Sequence, residues 1–163
     1  MSDQYRYPYL DSGVFIAWIK GEVVKGVDRG RIANHILCLA ETGVFKICIS
    51  SLTLAEVHKR RGSEPLDDKA DERILAFFEH SYIDVVDVDR EIGEQANRFC
   101  RQYGLRPNDS IHLACALRAG CDVLLAWDED FKAVQHPNIR IEQPQILGQE
   151  SFVTIPRLFD DKE

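Results

Sequence analysis

Short apolar segments alternate with helix-like segments along most of this chain, and this alternation restricts its fold more than any other feature. Strands are predicted at residues 7–10, 45–49, 82–88 and 123–126, with a short edge strand at 139–141. Helical segments separate these strands, which favours an α/β sheet over an all-helical bundle. We therefore expect an α/β fold in which most strands of the central sheet run parallel.

Polar caps and glycines mark the ends of the intervening helices. Asp89 and Asn108 are predicted N-caps, and Gly104 and Gly120 stand where a helix end favours glycine. The six predicted helices cover residues 12–19, 28–43, 52–61, 68–80, 89–103 and 108–119.

Four carboxylates each come after one of the predicted strands: Asp11, Glu56, Asp109 and Asp128. In a parallel sheet the loops that leave the carboxyl ends of the strands face one crevice, so residues distant in the sequence become neighbours there. Acids gathered in this way repel one another unless a divalent cation neutralises them. Oxygen ligands suit Mg²⁺ or Mn²⁺ better than zinc, so we predict such a site, with Asp130 in reserve as a metal ligand.

Each of these acids also has an ordinary structural explanation. Asp11 is suited to cap the helix that follows it, and the helix dipole favours an acid in the first turn, where Asp109 lies. The run from Asp128 to Asp130 is typical of a solvated charged surface. Glu56 is the most informative, because helical spacing puts it beside apolar residues, where a carboxylate is uncommon without a partner.

Size and charge limit the domain count and the mode of nucleic-acid binding. With 163 residues, 45% of them hydrophobic, we expect one domain over residues 1–155 and a C-terminal tail, 156–163, that frays. The formal net charge of -7 argues against nucleic-acid binding by bulk electrostatics, so any such contact must be local. The basic group nearest to Glu56 either binds an RNA phosphate or forms a solvated helix end. That group consists of Lys59, Arg60 and Arg61. Further basic candidates for contact with RNA lie on later helices: Arg98, Arg101, Arg106 and Arg118.

The five cysteines form no CxxC pair, and most lie in apolar segments where a free thiol behaves as a small hydrophobe. There is no secretory signal and no apolar stretch of about 18 residues, so we expect a cytoplasmic protein without a membrane segment. The chain lacks GxGxxG and P-loop motifs, and its histidines show no zinc spacing with cysteine. His112, three residues after Asp109, either faces the site or is a packing residue, the more usual role of a histidine in such an apolar segment.

Four segments of this chain resemble the PIN-domain nucleases, and within them the VapC-type toxins of toxin–antitoxin pairs. These segments are YLDSGVFIAWI, SSLTLAEV, NDSIHLACA and LLAWDEDF. The resemblance covers nearly the whole chain and implies a three-layer α/β/α fold with a mostly parallel central sheet. The chain departs from the family pattern at Ser12 and Gly13, where Thr-Asn is frequent, and at Ala126 and Trp127, where a Thr or Ser often precedes the last Asp.

The resemblance implies a Mg²⁺- or Mn²⁺-dependent endoribonuclease in which Asp11, Glu56, Asp109 and Asp128 bind metal and act in catalysis. It also implies an antitoxin partner and a homodimer. Other classes remain open: a non-catalytic metal-binding regulatory or scaffold module with a PIN-like fold, a receiver domain, and a nuclease acting on DNA. A receiver domain requires a lysine near the carboxyl end of a late strand, and only Lys132 is close.

Overall fold

The computed structural model describes residues 5–58 and 67–148, which form a five-stranded sheet, a two-stranded hairpin and helices on both faces of the sheet. The strands are β1 Pro8–Leu10, β2 Val23–Val24, β3 Val27–Asp28, β4 Ile47–Ser50, β5 Ile83–Val86, β6 Val123–Leu125 and β7 Arg140–Glu142. The helices are α1 Ser12–Lys20, α2 Arg29–Glu41, α3 Ser51–Glu56, α4 Asp68–Phe77, α5 Arg90–Tyr103 and α6 Pro107–Arg118, with a short 3₁₀-helix at Glu129–Ala133.

The five-stranded sheet is parallel throughout, in the order β5-β4-β1-β6-β7. The central strand is β1, in which Tyr9 pairs with Cys48 of β4 and with Leu124 of β6. Pro8 is tolerated there because it is the first residue of the strand, where a missing N–H disturbs the ladder least. The prediction of an α/β fold with a mostly parallel sheet is confirmed.

Alternate residues of the strands build a separate apolar core on each face of the sheet. Leu10, Ile49 and Leu125 belong to the core that also contains buried residues of α1, α2 and α4. Tyr9 and Leu124 belong to the other core, which contains buried residues of α5 and α6. Since successive strand residues point to opposite faces, both faces are covered and the fold has three layers, α/β/α.

Most helix ends follow from local sequence signals. Asp28, Asp67 and Asp89 are N-caps whose side chains each accept a hydrogen bond from the backbone N–H three residues later. Gly21 and Gly104 end α1 and α5 with φ of 59° and 69°, in the left-handed region that favours glycine. The cap at Asp89 and the stop at Gly104 are both as predicted.

The hairpin of β2 and β3 lies between α1 and α2, where the sequence predicts no strand. Each of its strands has two residues, and Lys25 and Gly26 form the turn with φ of 50° and 80°. Val23 and Val27 are 62% and 46% exposed, so the hairpin buries no apolar face. A pattern of hydrophobic residues therefore could not indicate it.

Several helices differ from their predicted ends, and α2 and α4 end at Glu41 and Phe77 rather than at residues 43 and 80. Arg106, not Asn108, is the N-cap of α6, because Pro107 takes the first helical position, where its fixed φ suits a helix and its missing N–H costs nothing. The predicted helix over 52–61 ends at Glu56, with Val57 as its C-cap. Residues 59–61 lie outside the described part of the chain.

Two expectations concern the membrane and the C-terminus. Within residues 5–58 and 67–148, no helix is both long and apolar enough to span a membrane. The predicted tail, 156–163, lies outside the described residues, so the division of the chain at residue 155 stays a prediction.

Candidate metal centre

The predicted acids gather at the carboxyl edge of the sheet, although only two of them follow a strand. Asp11 comes directly after β1, and its backbone N–H donates to the carbonyl of Leu125 at the end of β6, 3.1 Å away. Asp128 lies three residues beyond β6 and is the N-cap of the 3₁₀-helix. Glu56 is the last residue of α3, and Asp109 lies in the first turn of α6, so helices rather than strand ends position these two.

Asp11 and Glu56, which we call the inner pair, are joined through a buried histidine. His112 Nε2 lies 2.9 Å from Glu56 Oε2 and 3.6 Å from Asp11 Oδ1, and the His112 side chain is 1% exposed. On the other side of the ring, His112 Nδ1 lies 2.6 Å from the Tyr9 hydroxyl. The amide of Asn108 donates to Glu56 Oε1 at 3.0 Å, so both oxygens of this carboxylate are held.

Asp109, Asp128 and Asp130, which we call the outer trio, share one arginine. Each acid offers an oxygen, and these three oxygens lie within 4.8 Å of one another. Arg106 Nε lies 3.1 Å from Asp109 Oδ2 and 3.4 Å from Asp130 Oδ2, and its Nη2 lies 2.5 Å from Asp128 Oδ2. The Arg106 side chain is 65% exposed, so this cation stands at the mouth of the site.

Burial and crowding of charge shift the pKa values of the inner pair in opposite directions. Burial raises the pKa of Asp11 to about 6; His112 opposes the rise, while Asp109 and Glu56 add to it. Burial also acts to raise the pKa of Glu56, but hydrogen bonds from His112, Ser12 and Asn108 outweigh it and hold that pKa below its usual range. Glu56 is therefore held as a carboxylate at neutral pH. The positive charge near Asp11 is too small to offset the effect of burial on the pKa of Asp11.

Burial and nearby charges also shift the pKa values of the two groups beside the inner pair, Asp109 and His112. Burial raises the pKa of Asp109 above its usual range, and Arg106 offsets only part of that rise. Burial acts to lower the pKa of His112, but the hydrogen bond with Glu56 and the charges of Asp11 and Asp109 raise it above its usual value. The site as a whole favours additional positive charge.

The chain matches the family model described as "PIN domain" over residues 9–137, which include all five of these acids. The chain belongs to the PIN domain family. No curated protein sequence matches it.

Solved structures share the fold of this PIN domain. A toxin–antitoxin complex from Klebsiella pneumoniae matches with a TM-score of 0.60 and 20% identity, over 86% of this chain and 99% of that one. VapBC2 from Rickettsia felis, bound to a DNA fragment from its promoter, matches with a TM-score of 0.56 and 22% identity, over 84% and 98%. VapC20 from Mycobacterium tuberculosis, a sarcin-ricin loop cleaving toxin, matches with a TM-score of 0.56 and 18% identity, over 82% and 98%.

The structure sorts the predicted site residues of this PIN domain into three sets. Asp109, Asp128 and Asp130 form one group. Asp128 and Asp130, the two residues that the sequence offered as the fourth metal ligand, both contact Arg106. Asp11 and Glu56 lie beside that group, linked by His112 rather than to it. The predicted RNA-binding residues lie outside the described part of the chain: Lys59, Arg60 and Arg61.

Three residues of the site carry more than the sequence indicated. His112 is buried, but the interpretation as a packing residue is incomplete, because the ring contacts both acids of the inner pair. Asn108, predicted as a helix cap, instead bonds Glu56. Arg106 lies three residues before Asp109, and His112 lies three residues after it. This helical spacing was a signal that Arg106, Asp109 and His112 lie on one side of α6.

A cleft of 1040 Å³ lies away from these acids, at the amino edge of the sheet. Its lining includes Arg118 and Arg140, whose guanidinium groups already pair with carboxylates, Arg140 with Asp122 at 3.3 Å and Arg118 with Asp89 at 2.5 Å. The chemistry that distinguishes this PIN domain is therefore at the carboxyl edge.

Proposed function

We propose that this PIN domain is a Mg²⁺- or Mn²⁺-dependent endoribonuclease and the toxin of a toxin–antitoxin pair. The observation that carries the proposal is the grouping of the outer trio within 4.8 Å, beside the inner pair, at the carboxyl edge of a parallel sheet. Membership of the PIN domain family supports the same assignment.

The residues at the site fit a divalent cation. All five acids offer only carboxylate oxygens, the donors that Mg²⁺ and Mn²⁺ prefer. Burial raises the pKa values of Asp11 and Asp109, and the charges of His112 and Arg106 only partly oppose this, so a further cation beside these groups would stabilise their carboxylate forms. The outer trio would hold the ion, with the inner pair as its further ligands.

A bound ion would supply a water of lowered pKa and would neutralise charge on the scissile phosphate. The chain itself positions the groups around that chemistry. His112 and Asn108 fix both oxygens of Glu56, so this carboxylate keeps one orientation. Gly13 keeps the rim beside Asp11 open, since a Cβ there would lie 3.3 Å from Asp11 Oδ2.

The proposal includes its partners. Two of the similar structures are described as toxin–antitoxin or VapBC assemblies, and a third as a toxin that cleaves the sarcin-ricin loop. By analogy, we propose an antitoxin partner, a homodimer and an RNA substrate, bound in part by Lys59, Arg60 and Arg61. The proposal assigns the protein to the cytoplasm, which agrees with five cysteines that form no disulfide with one another.

Cleavage of cellular RNA tests the function. The purified chain, freed of any partner, is incubated with mixed cellular RNA and Mg²⁺ or Mn²⁺, with an EDTA control. We expect discrete metal-dependent fragments that Asp11→Asn and Asp109→Asn each reduce to background, because each substitution removes a negatively charged metal ligand. Glu79→Gln, at an exposed acid just before β5 and so at the amino edge of the sheet, makes the same change of charge and is expected to cleave normally.

Calorimetry with Mn²⁺ separates the alternatives. Metal binding without cleavage of any RNA would contradict the nuclease and favour the regulatory or scaffold module. Cleavage that survives in both site variants would remove these carboxylates from the mechanism.

A further inference from the structure

Arg106 pairs with the carboxylates that the proposed metal site needs. Its guanidinium contacts all three acids of the outer trio, at 3.1 Å, 2.5 Å and 3.4 Å. Among residues 5–58 and 67–148, no other lysine or arginine lies within 4.0 Å of the outer trio or the inner pair. The cation of this side chain and a divalent ion would therefore occupy the same place.

Two cations cannot share these oxygens without strong repulsion. Like charges a few ångströms apart repel strongly near a protein surface, where the effective dielectric constant is well below that of water. The divalent ion has the larger charge, whereas Arg106 has a largely exposed side chain and an open route to solvent. Metal binding would release the guanidinium while its backbone, at the N-cap of α6, stays beside the site.

A released guanidinium at this position suits an RNA phosphate. Arginine offers a planar fork of N–H donors that matches phosphate geometry, and it remains charged at every physiological pH. The net charge of -7 means that RNA needs local cations, and this one stands at the mouth of the site. Asp109, the acid that Arg106 contacts through Nε, lies one helical turn along the same helix, so the phosphate would lie beside the ion.

We propose that Arg106 is a substrate-binding residue of this PIN domain, which pairs with Asp109, Asp128 and Asp130 as the structure shows and binds an RNA phosphate once a divalent cation takes those carboxylates. This inference rests on the proposed function. It assigns one side chain two successive partners, and it predicts opposite effects of one substitution on metal affinity and on RNA affinity.

Mn²⁺ binding without RNA tests the first partner. Arg106→Gln removes the competing cation and is expected to bind Mn²⁺ about two- to fivefold more tightly by calorimetry, the scale of an exposed ion pair. Arg106→Lys keeps the charge and is expected to stay closer to the unsubstituted chain. Arg90→Gln is the matched control, since it removes a charge from an exposed, ion-paired arginine of α5 that does not touch the trio.

Cleavage kinetics test the second partner, with a short RNA that carries the site found in the cleavage assay. Arg106→Gln is expected to raise KM about tenfold with a smaller change in kcat, and to flatten the salt dependence of KM by about one phosphate contact. Arg106→Lys is expected to recover part of the loss, and Arg90→Gln to leave KM unchanged.

The outcomes separate this inference from the proposed function. Weaker Mn²⁺ binding in Arg106→Gln would mean that the arginine organises the carboxylates for the metal, and the inference would fail. An unchanged KM and salt dependence would remove the phosphate contact, and the inference would also fail. If the unsubstituted chain binds no Mn²⁺ at all, the proposed metal-dependent function fails first.

Discussion

The inner pair and the outer trio serve the same site but are stabilised in contrasting ways. The inner pair depends on His112, a buried side chain that Tyr9 holds from behind. The outer trio depends on Arg106, a side chain that is mostly in solvent. Buried partners fix a carboxylate in one orientation, whereas an exposed partner can leave when a competitor arrives.

This contrast explains how one site can be both rigid and open. Desolvation makes each charge of the inner pair costly, so the fold surrounds Glu56 with hydrogen bonds from three residues. Two acids of the outer trio remain partly hydrated, with side-chain exposures of 31% for Asp128 and 55% for Asp130, whereas Asp109 is 10% exposed. Their shared cation, Arg106, is 65% exposed, so the trio tolerates exchange of that cation. The inner pair is thus part of the fold, and the outer trio is the part of the site that is free to change partners.

The largest expected effect comes from breaking the inner pair. His112→Ala leaves Glu56 and Asp11 without their shared partner in a buried setting, and we expect the free energy of unfolding to fall by about 3 kcal/mol, as for a broken buried ion pair. Urea denaturation measures this loss, and added Mg²⁺ is expected to restore part of it by neutralising the same acids. Arg106→Gln serves as the comparison and is expected to cost clearly less. Equal losses in the two variants would contradict the distinction between the two groups.

A carboxylate at the other edge of the sheet gives a control that metal should not affect. Asp122 accepts hydrogen bonds from the backbone N–H groups of Arg6 and Tyr7 at 3.0 Å and 2.6 Å. Burial acts to raise the pKa of Asp122, but these bonds outweigh it and hold the pKa below its usual range. Its stabilisation is present above the pKa of the unfolded chain and is lost as the pH falls through the lower pKa of the folded state.

Asp122→Asn is therefore expected to lower the free energy of unfolding by about 1–2 kcal/mol at neutral pH, the scale of hydrogen bonds to a charged group. Thermal or urea unfolding at a series of pH values is the measurement. The difference from the unsubstituted chain should shrink below about pH 4 and should not respond to Mg²⁺. A difference that grows in acid, or that Mg²⁺ abolishes, would show that the stabilisation comes from elsewhere.

The sequence predicted the edge of the sheet that holds the acids, and local signals explain why. Asp11 and Asp128 follow strands, and parallel strands bring their carboxyl ends to one side, so their proximity needs no knowledge of side-chain packing. The division into two groups depends on contacts between residues far apart in the chain. His112 meets Glu56 across 56 positions, and Arg106 meets Asp128 across 22. Such contacts follow from the packing of α6 against α3 and β6, which no local pattern encodes.

Some contacts of the site could be predicted from helical spacing on α6. Other features could not be predicted, because no hydrophobic pattern in the sequence indicates them. Residues three apart on α6 share a face, so the contact of Arg106 with Asp109 was within reach of helical periodicity. The role of Tyr9 was not, because its hydroxyl reaches His112 only through the register of β1 beneath α6. The hairpin of β2 and β3 was equally out of reach, since Val23 and Val27 pack against no core.

The smallest expected effect tests how tightly the fold positions the inner pair. Gly13→Ala adds a Cβ 3.3 Å from Asp11 Oδ2, a contact that the carboxylate relieves by shifting a few tenths of an ångström. Alanine also favours helix over glycine by roughly 0.5–1 kcal/mol, so the midpoint of thermal unfolding should rise slightly or stay unchanged. Mn²⁺ affinity should nevertheless fall severalfold, because Asp11 has moved.

Gly93→Ala is the matched control for this substitution. Gly93 lies in α5, and a Cβ added there would meet nothing within 4 Å, so alanine gains helix propensity and touches no carboxylate. We expect it to raise stability without changing Mn²⁺ affinity. If both glycine variants bind Mn²⁺ as the unsubstituted chain does, Asp11 tolerates displacement, and rigidity of the inner pair is not what metal binding requires. If only Gly13→Ala loses affinity while its stability holds, the position of Asp11, rather than the stability of the fold, limits the metal site.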